Sequence, residues 1–177
     1  NMTASINDAH GFRTQTSGHT ISITQAPTGT LTTNGTFRII ESATNGALIR
    51  TSAGLGITGF ILTDPLTDIY NPITIRSSLG SIFTHLIISC DSESLIEVFA
   101  YEQINILSAI ISKHSIPFKK AKYSKPCAII VGNESKGLTN KWMSNSNQHI
   151  HIPMKNNIDS LNVSVAAAIL VQEAIDN

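Results

Sequence analysis

Three polar segments interrupt apolar stretches of this chain at places where packing alone would not put them. In Asn45-Gly-Ala-Leu-Ile-Arg50-Thr51 a lone arginine sits in an otherwise apolar helical run. Gly132-Asn133-Glu134-Ser-Lys136-Gly-Leu138 follows directly on the apolar run Cys127–Val131. Ile152-Pro153-Met154 leads through a short polar loop to Ser160-Leu161-Asn162-Val-Ser164, which opens the last helical stretch. Glycines and a proline at such places suit backbone loops that grip a ligand through N–H and C=O groups. Open parallel sheets bind ligands at the carboxyl ends of their strands, and the second and third segments occupy such ends. Each segment also has a plainer reading. Arg50 could pair with a buried carboxylate, Gly-Asn-Glu could be a turn, and Ser160 could cap a helix. The three together, in this order, point to a ligand site.

The elements that must position these segments are legible from periodicity. Apolar runs bounded by turn residues predict strands at Phe37–Glu41, Phe60–Thr63, His85–Ser89, Ile104–Ile111, Cys127–Val131 and His149–Ile152. Helical stretches fall at Gly46–Leu55, Pro72–Gly80, Ser92–Tyr101 and Asp159–Ile175. Strands alternating with helices predict an α/β fold, a parallel sheet flanked by helices. Residues 1–36, rich in Thr, Ser, Asn and Gly, read as a polar linker or edge segment with one short strand at Ile21–Thr24; residues 37–177 read as the domain that carries the three segments. The last helix is apolar nearly all round, so two sides of it must be covered. Another element of the domain could cover the second side. Its run of alanines favours close approach by a second copy of the chain.

Composition narrows the function classes. A chain of 177 residues, 41% hydrophobic and 14% charged, has the makeup of a globule with a core. Twelve basic residues balance twelve acidic ones, so a nucleic acid would be held by a local patch and not by a global field. No apolar run has the length of a membrane span. Cys90 and Cys127 stand too far apart in sequence to suggest a disulfide framework or a zinc knuckle, and a reduced, cytoplasmic setting is expected. The six histidines lack helix-type metal-ligand spacing and read as structural. Gly54-Leu-Gly56-Ile-Thr-Gly59 matches the dinucleotide fingerprint, but that motif needs strand, glycine turn and helix in this order. Here the glycines end a helix and lead into a strand, as a left-handed cap and turn would.

The three polar segments resemble motifs 1, 2 and 3 of the SpoU (TrmH-like) branch of the SPOUT methyltransferases. The matching residues are GALIRTS, IIVGNESKGL, and IPM followed by SLNVSVAAAIL; Tyr70–Ser81, with Arg76 and Ser78, is similar to the family's second conserved helix. The likeness runs from about Phe37 to the C-terminus. It implies a C-terminal deep trefoil knot, a homodimer, S-adenosyl-L-methionine as cofactor and ribose 2′-O-methylation of ribosomal or transfer RNA. It implies no metal, because the sulfonium already makes the methionine sulfur a good leaving group. Two other readings stay open: a catalytically impaired RNA-binding dimer of the same fold, and a SPOUT base methyltransferase, against which Arg50 and SLNVS argue.

By the same resemblance Arg50 is the catalytic residue, with Glu134 and Asn162 as the polar partners that fix it; Ser160 and Asn45 complete the catalytic set. A guanidinium does not normally give up its proton, so Arg50 is expected to orient the target and stabilise a developing alkoxide. Gly132, Asn133, Glu134, Leu138, Ile152, Pro153, Met154, Ser160, Leu161 and Asn162 are the implied cofactor contacts. The motif's first asparagine falls on Thr44, with Asn45 one place late and Ser42-Ala43 where the family has Asp-Pro. Either Asn45 substitutes or that contact is lost. Lys119, Lys120, Lys122 and Lys125, with Lys136 beyond them, form a basic cluster whose expected partner is the phosphate backbone of RNA.

Overall fold

The computed structural model describes residues 13–17, 20–24, 29–32, 36–41, 46–57, 59–66, 68–133, 137–155 and 160–177. Arg13–Ser17 (β1), Thr20–Thr24 (β2) and Gly29–Thr32 (β3) form a small antiparallel sheet. The sequence reading had one strand here, which matches β2. The others alternate too weakly among Thr, Ser and Gly to announce themselves.

The main sheet holds seven strands in the order β6-β5-β4-β9-β7-β10-β8, and every pairing in it is parallel. They are Thr36–Glu41 (β4), Gly59–Thr63 (β5), Ile87–Cys90 (β6), Asn105–Ala109 (β7), Ile116–Pro117 (β8), Cys127–Val131 (β9) and Gln148–His151 (β10). The helices are Gly46–Gly54 (α1), Pro72–Ser78 (α2), Ser92–Tyr101 (α3), Asn140–Asn145 (α4) and Val163–Asp176 (α5). Six of these strands and four of these helices sit where periodicity put them, within a few residues; β8 and α4 are too short to show a period. None of the described helices is long and apolar enough to cross a membrane.

Strand β9 shows why the sheet is covered on both faces. Cys127, Ile129 and Val131 point into one apolar cluster with α1 and α5, while Ala128 and Ile130 point into the other with α3 and α4. All five residues are buried, as expected where neither face meets water. Side-chain caps set several helix starts. Asn71 accepts from Ile73 N and Thr74 N ahead of Pro72, and Asp91 accepts from Ser94 N at 2.8 Å. That Ser94 bond holds the Asp91 carboxyl below its usual range. The G-x-G-x-x-G glycines do close a helix and enter a strand, with Gly56 at φ +73° in the turn between α1 and β5.

Two expectations about the last helix need correction. It begins at Val163, because Asn162 is non-helical (φ −51°, ψ 139°) and its side chain caps the helix by accepting Ser164 N. Ser160 and Leu161 therefore belong to the preceding loop, and Asn162, not Ser160, is the cap. The expectation that Val163, Ala167, Leu170, Val171 and Ala174 need a second copy to cover them also fails. All five are buried within the single chain, where the sheet and α1 enclose them. The alanines let α1 approach closely.

Candidate active site

The carboxyl ends of three neighbouring strands, β9, β7 and β10, open into one cavity of about 610 Å³. Its floor is Val131, Ala109 and Ile150. The loop after β9 forms one wall, the residues after β10 a second, and the first turns of α5 a third.

The β9 loop turns back at once. Asn133 and Gly137 exchange backbone hydrogen bonds, 3.2 Å from Asn133 N and 2.8 Å from Gly137 N, and Gly137 has φ +68°. The returning strand crosses directly over Gly132. A Cβ there would lie 2.6 Å from Leu138 N and closer still to the Gly137 carbonyl, so position 132 admits no side chain. At β10, Ile110 N donates to Ile150 O at 2.9 Å, and the Ser115 hydroxyl bonds His151 Nδ1 at 2.9 Å. These bonds tie the loop after β7 to the end of β10 and steady that side of the rim.

The lining is mostly apolar, with polar side chains only from Asn133, His151, Ser160 and Asn162 among the described residues. No lysine, arginine or carboxylate is among them. Such a site binds through shape, apolar contact and backbone groups, and among the described residues its lining holds no fixed charge that would repel a cationic ligand.

Of the residues singled out from the sequence as cofactor contacts, Gly132, Asn133, Leu138, Ile152, Met154, Ser160, Leu161 and Asn162 line this cavity. Pro153 does not; it is exposed and turns the chain between two residues that do. Asn45, Glu134 and Lys136 lie outside the described residues. Arg50 is exposed on α1, which packs beside α5, but it does not line the cavity. It has no hydrogen-bond or ion-pair partner among the described residues. Asn162, its expected partner, gives its carboxamide oxygen to the α5 cap.

Lys119, Lys120, Lys122 and Lys125, the described lysines of the cluster, do not line the cavity. Lys122 is clamped by Gln148 (Lys122 N to Oε1 2.9 Å, Nε2 to Lys122 O 2.8 Å) and by Asn105 Nδ2 at 2.9 Å. Gln148 and Asn105 begin their strands, so Lys122 sits at the amino end of the sheet. A strand of this length puts it roughly 13 Å or more from the carboxyl end. Lys119, Lys120 and Lys125 are exposed in the same connection. The sequence reading also missed the contributions of Ala109, Ile110, Ile111 and Met143 to the cavity wall. Only the sheet order, with β7 between β9 and β10, would have revealed them. His149 is structural as expected, Nε2 donating to Met143 O at 2.9 Å, whereas His151 joins the wall.

Comparison with known proteins agrees with this geometry. The chain is similar to the 23S rRNA (guanosine(2553)-2′-O)-methyltransferase RlmP of Bacillus subtilis, 30% identical over 126 residues, 71% of this chain and 50% of that protein. It is also similar to the tRNA (guanosine(18)-2′-O)-methyltransferase of Aquifex aeolicus, 37% identical over 76 residues, 43% of this chain and 36% of that one. Its fold matches the AdoMet-bound rRNA methyltransferase from Sinorhizobium meliloti with a TM-score of 0.73 at 26% identity, covering 82% of this chain and 57% of that chain. The chain spans about half the length of the curated relatives it matches. Residues 38–172, most of the sequence, match the SpoU rRNA Methylase family, and the chain belongs to that family.

Proposed function

We propose that this chain is the catalytic part of an RNA ribose 2′-O-methyltransferase that takes its methyl group from S-adenosylmethionine and works in the cytoplasm on ribosomal or transfer RNA. The observation that carries the reading is the cavity at the ends of β9, β7 and β10, lined by two of the three family segments. Its residues fit the cofactor. The volume of about 610 Å³ is that of a small-molecule site. Gly132 leaves a cradle that a Cβ would fill. The lining lacks lysine and arginine among the described residues, which suits a sulfonium.

When bound, S-adenosylmethionine supplies an electrophilic methyl whose sulfur leaves as a neutral thioether. Gly132, Ile152 and Leu161 would hold it through backbone groups, with Leu138 and Met154 packing against it and Asn133, Ser160 and Asn162 as polar contacts. Pro153 shapes this loop. The chain's own work is positioning and electrostatics. Arg50 holds the phosphate or 2′-hydroxyl of the target nucleotide and stabilises the oxygen as its proton leaves to phosphate or water. Glu134 fixes Arg50, with the remaining lone pair of the Asn162 carboxamide oxygen as a second acceptor, and Asn45 completes the set.

Arg50 lies outside the cavity of its own chain, so it serves the cavity of a second copy in a twofold dimer. The outward side of α5, where Val165 and Ile175 are 49% and 37% exposed, is the face offered to that copy. The reading includes the trefoil knot; the placement of β9 between β4 and β7, with β10 beyond β7, supports it. The lysines at the other end of the sheet hold RNA that extends past the reacting nucleotide. Incubation with cofactor and ribosomal or transfer RNA, followed by mass spectrometry of the nucleosides, tests the reading. A 2′-O-methylnucleoside is expected. Methyl groups on bases, or cofactor bound without transfer to any RNA, would overturn it.

A further inference from the structure

Ten large hydrophobic side chains are exposed among the described residues, and five of them come from one stretch: Leu66, Tyr70, Ile73, Leu79 and Phe83. Their exposures run from 43% at Tyr70 to 79% at Ile73, so packing does not explain them. The Tyr70 and Phe83 rings lie 6.3 Å apart between centroids and within 14° of parallel, a stacked pair that is 43% and 59% exposed. Leu79 extends this surface from a left-handed backbone (φ 48°, ψ 39°) at the end of α2, a conformation unfavourable for any residue with a Cβ. Arg76 follows Ile73 by three positions and so shares its side of the helix. It is exposed and has no ion-pair partner among the described residues. Asp68, beside the rings, turns its carboxylate onto Tyr70 N at 2.9 Å.

This surface is rigidly joined to Arg50. A Cβ at Gly46 would lie 2.6 Å from Ser78 N and closer still to Thr74 O, so α1 and α2 touch backbone to backbone. Arg50 stands one turn further along α1. The Ser81–Phe83 turn packs on α1 as well.

We propose that Tyr70 and Phe83 form a stacking platform for an unpaired base of the RNA substrate, beside the nucleotide whose ribose Arg50 serves, with Arg76 taking the adjoining phosphate. The inference rests on the RNA methyltransferase reading and names how that substrate is held. A nucleotide drawn out for reaction loses its neighbours' stacking, and exposed aromatic faces replace it whatever the base. The exposed Arg76 guanidinium on the same stretch complements the adjoining phosphate.

The test uses the full chain, a fluorescent mixed-sequence single-stranded RNA, and the same sequence as a duplex. Phe83→Ala and Tyr70→Ala should each weaken single-strand binding about tenfold, as loss of one base–aromatic stack does. Cofactor binding and melting temperature should stay near wild type, and duplex binding should change less. Phe83→Trp should restore affinity and show indole fluorescence quenched by the RNA. Variants that bind and methylate RNA like wild type would overturn the platform alone. Variants that lose a dimer seen for wild type would overturn it by assigning the face to a second copy. Wild type that binds cofactor but no RNA would bring down the platform and the RNA reading together.

Discussion

Gly132→Ala probes the cofactor cradle at a single atom. The added Cβ would lie 2.6 Å from Leu138 N and closer to the Gly137 carbonyl, all backbone atoms that no side-chain rotation can move. Ordinary carbon contacts need about 3.5 Å, so the returning strand must withdraw by about 1 Å. Leu138 is buried, lines the cavity and packs in the cluster with Trp142, so it cannot withdraw freely. Overpacking of this kind costs about 1–3 kcal/mol, or roughly 2–4 °C of melting temperature per kcal/mol in a chain of this size. A shift of about 1 Å in a positioning wall can cost on the order of 100-fold in function. Calorimetric titration with S-adenosylmethionine should therefore show a much larger loss than the stability change accounts for. Gly56→Ala is the control. It meets no atom within 4 Å, its φ is +73°, and it lies in the turn after α1. It should cost about 1 kcal/mol of backbone strain and leave cofactor affinity alone. Normal cofactor binding by Gly132→Ala would refute the assignment of this loop as the cofactor's wall.

Arg50→Ala should abolish methyl transfer while leaving the fold and cofactor affinity near wild type, read by turnover and by thermal melts with and without cofactor; near-normal turnover would remove Arg50 from the mechanism. Mixing Arg50→Ala with Gly132→Ala at limiting cofactor should recover roughly a quarter of wild-type activity if subunits of a twofold dimer exchange at random, and no recovery would show that each chain serves its own cavity. Replacing Lys119, Lys120 and Lys122 with alanine should lower the log–log salt slope of RNA binding by about one per lost phosphate contact; an unchanged slope would make them a solvated loop. Tyr123 is buried with its hydroxyl on Phe118 O at 2.9 Å, and burial, then the Glu173 charge, pushes its pKa from 10.0 to about 12. A raised acid pKa gives stability that is whole below pH 10 and lost as pH rises from 10 towards 12. Urea melts across that range should show the loss in wild type and less of it in Tyr123→Phe.

The strands were legible because burial on both faces leaves a chemical mark. The CAIIV run of β9 could not be a half-exposed strand, and it lies at the sheet's centre between β4 and β7. The cavity was half legible. Gly132, Ile152 and the residues around Asn162 follow strand ends that the sequence marks with Gly, Pro and a helix start. Ala109 and Ile110 do not, since nothing in the run Ile104–Ile111 says that it will lie between β9 and β10. The lysines show the same gap from the other side. Their composition suggests a phosphate contact, but the side-chain clamp from Gln148 and Asn105 to Lys122 sets them at the amino end of the sheet. A clamp between residues this distant in sequence leaves no local pattern.

Helix α5 shows where apolar patterning stops being informative about assembly. A helix apolar all round requires two covers but does not name them. Here one chain provides both: Val163, Ala167, Leu170, Val171 and Ala174 share one buried cluster with β9 of the sheet and with Leu48 and Ile49 of α1. The buried stripe asks for no second copy; the proposed dimer rests on what one copy leaves undone. Val165 and Ile175 stay exposed on the outer side of the helix. Arg50 stands on the neighbouring helix with no partner among the described residues and outside its own cavity. Asn162 joins the last helix to the cavity, because it caps α5 by accepting from Ser164 N and also lines the cavity with Ser160 and Leu161. A twofold neighbour that covered Val165 and Ile175 would meet α1 and α5 together, since the two helices lie side by side. In the proposed dimer, assembly and catalysis share one surface, and separating the copies should cost activity before it costs stability.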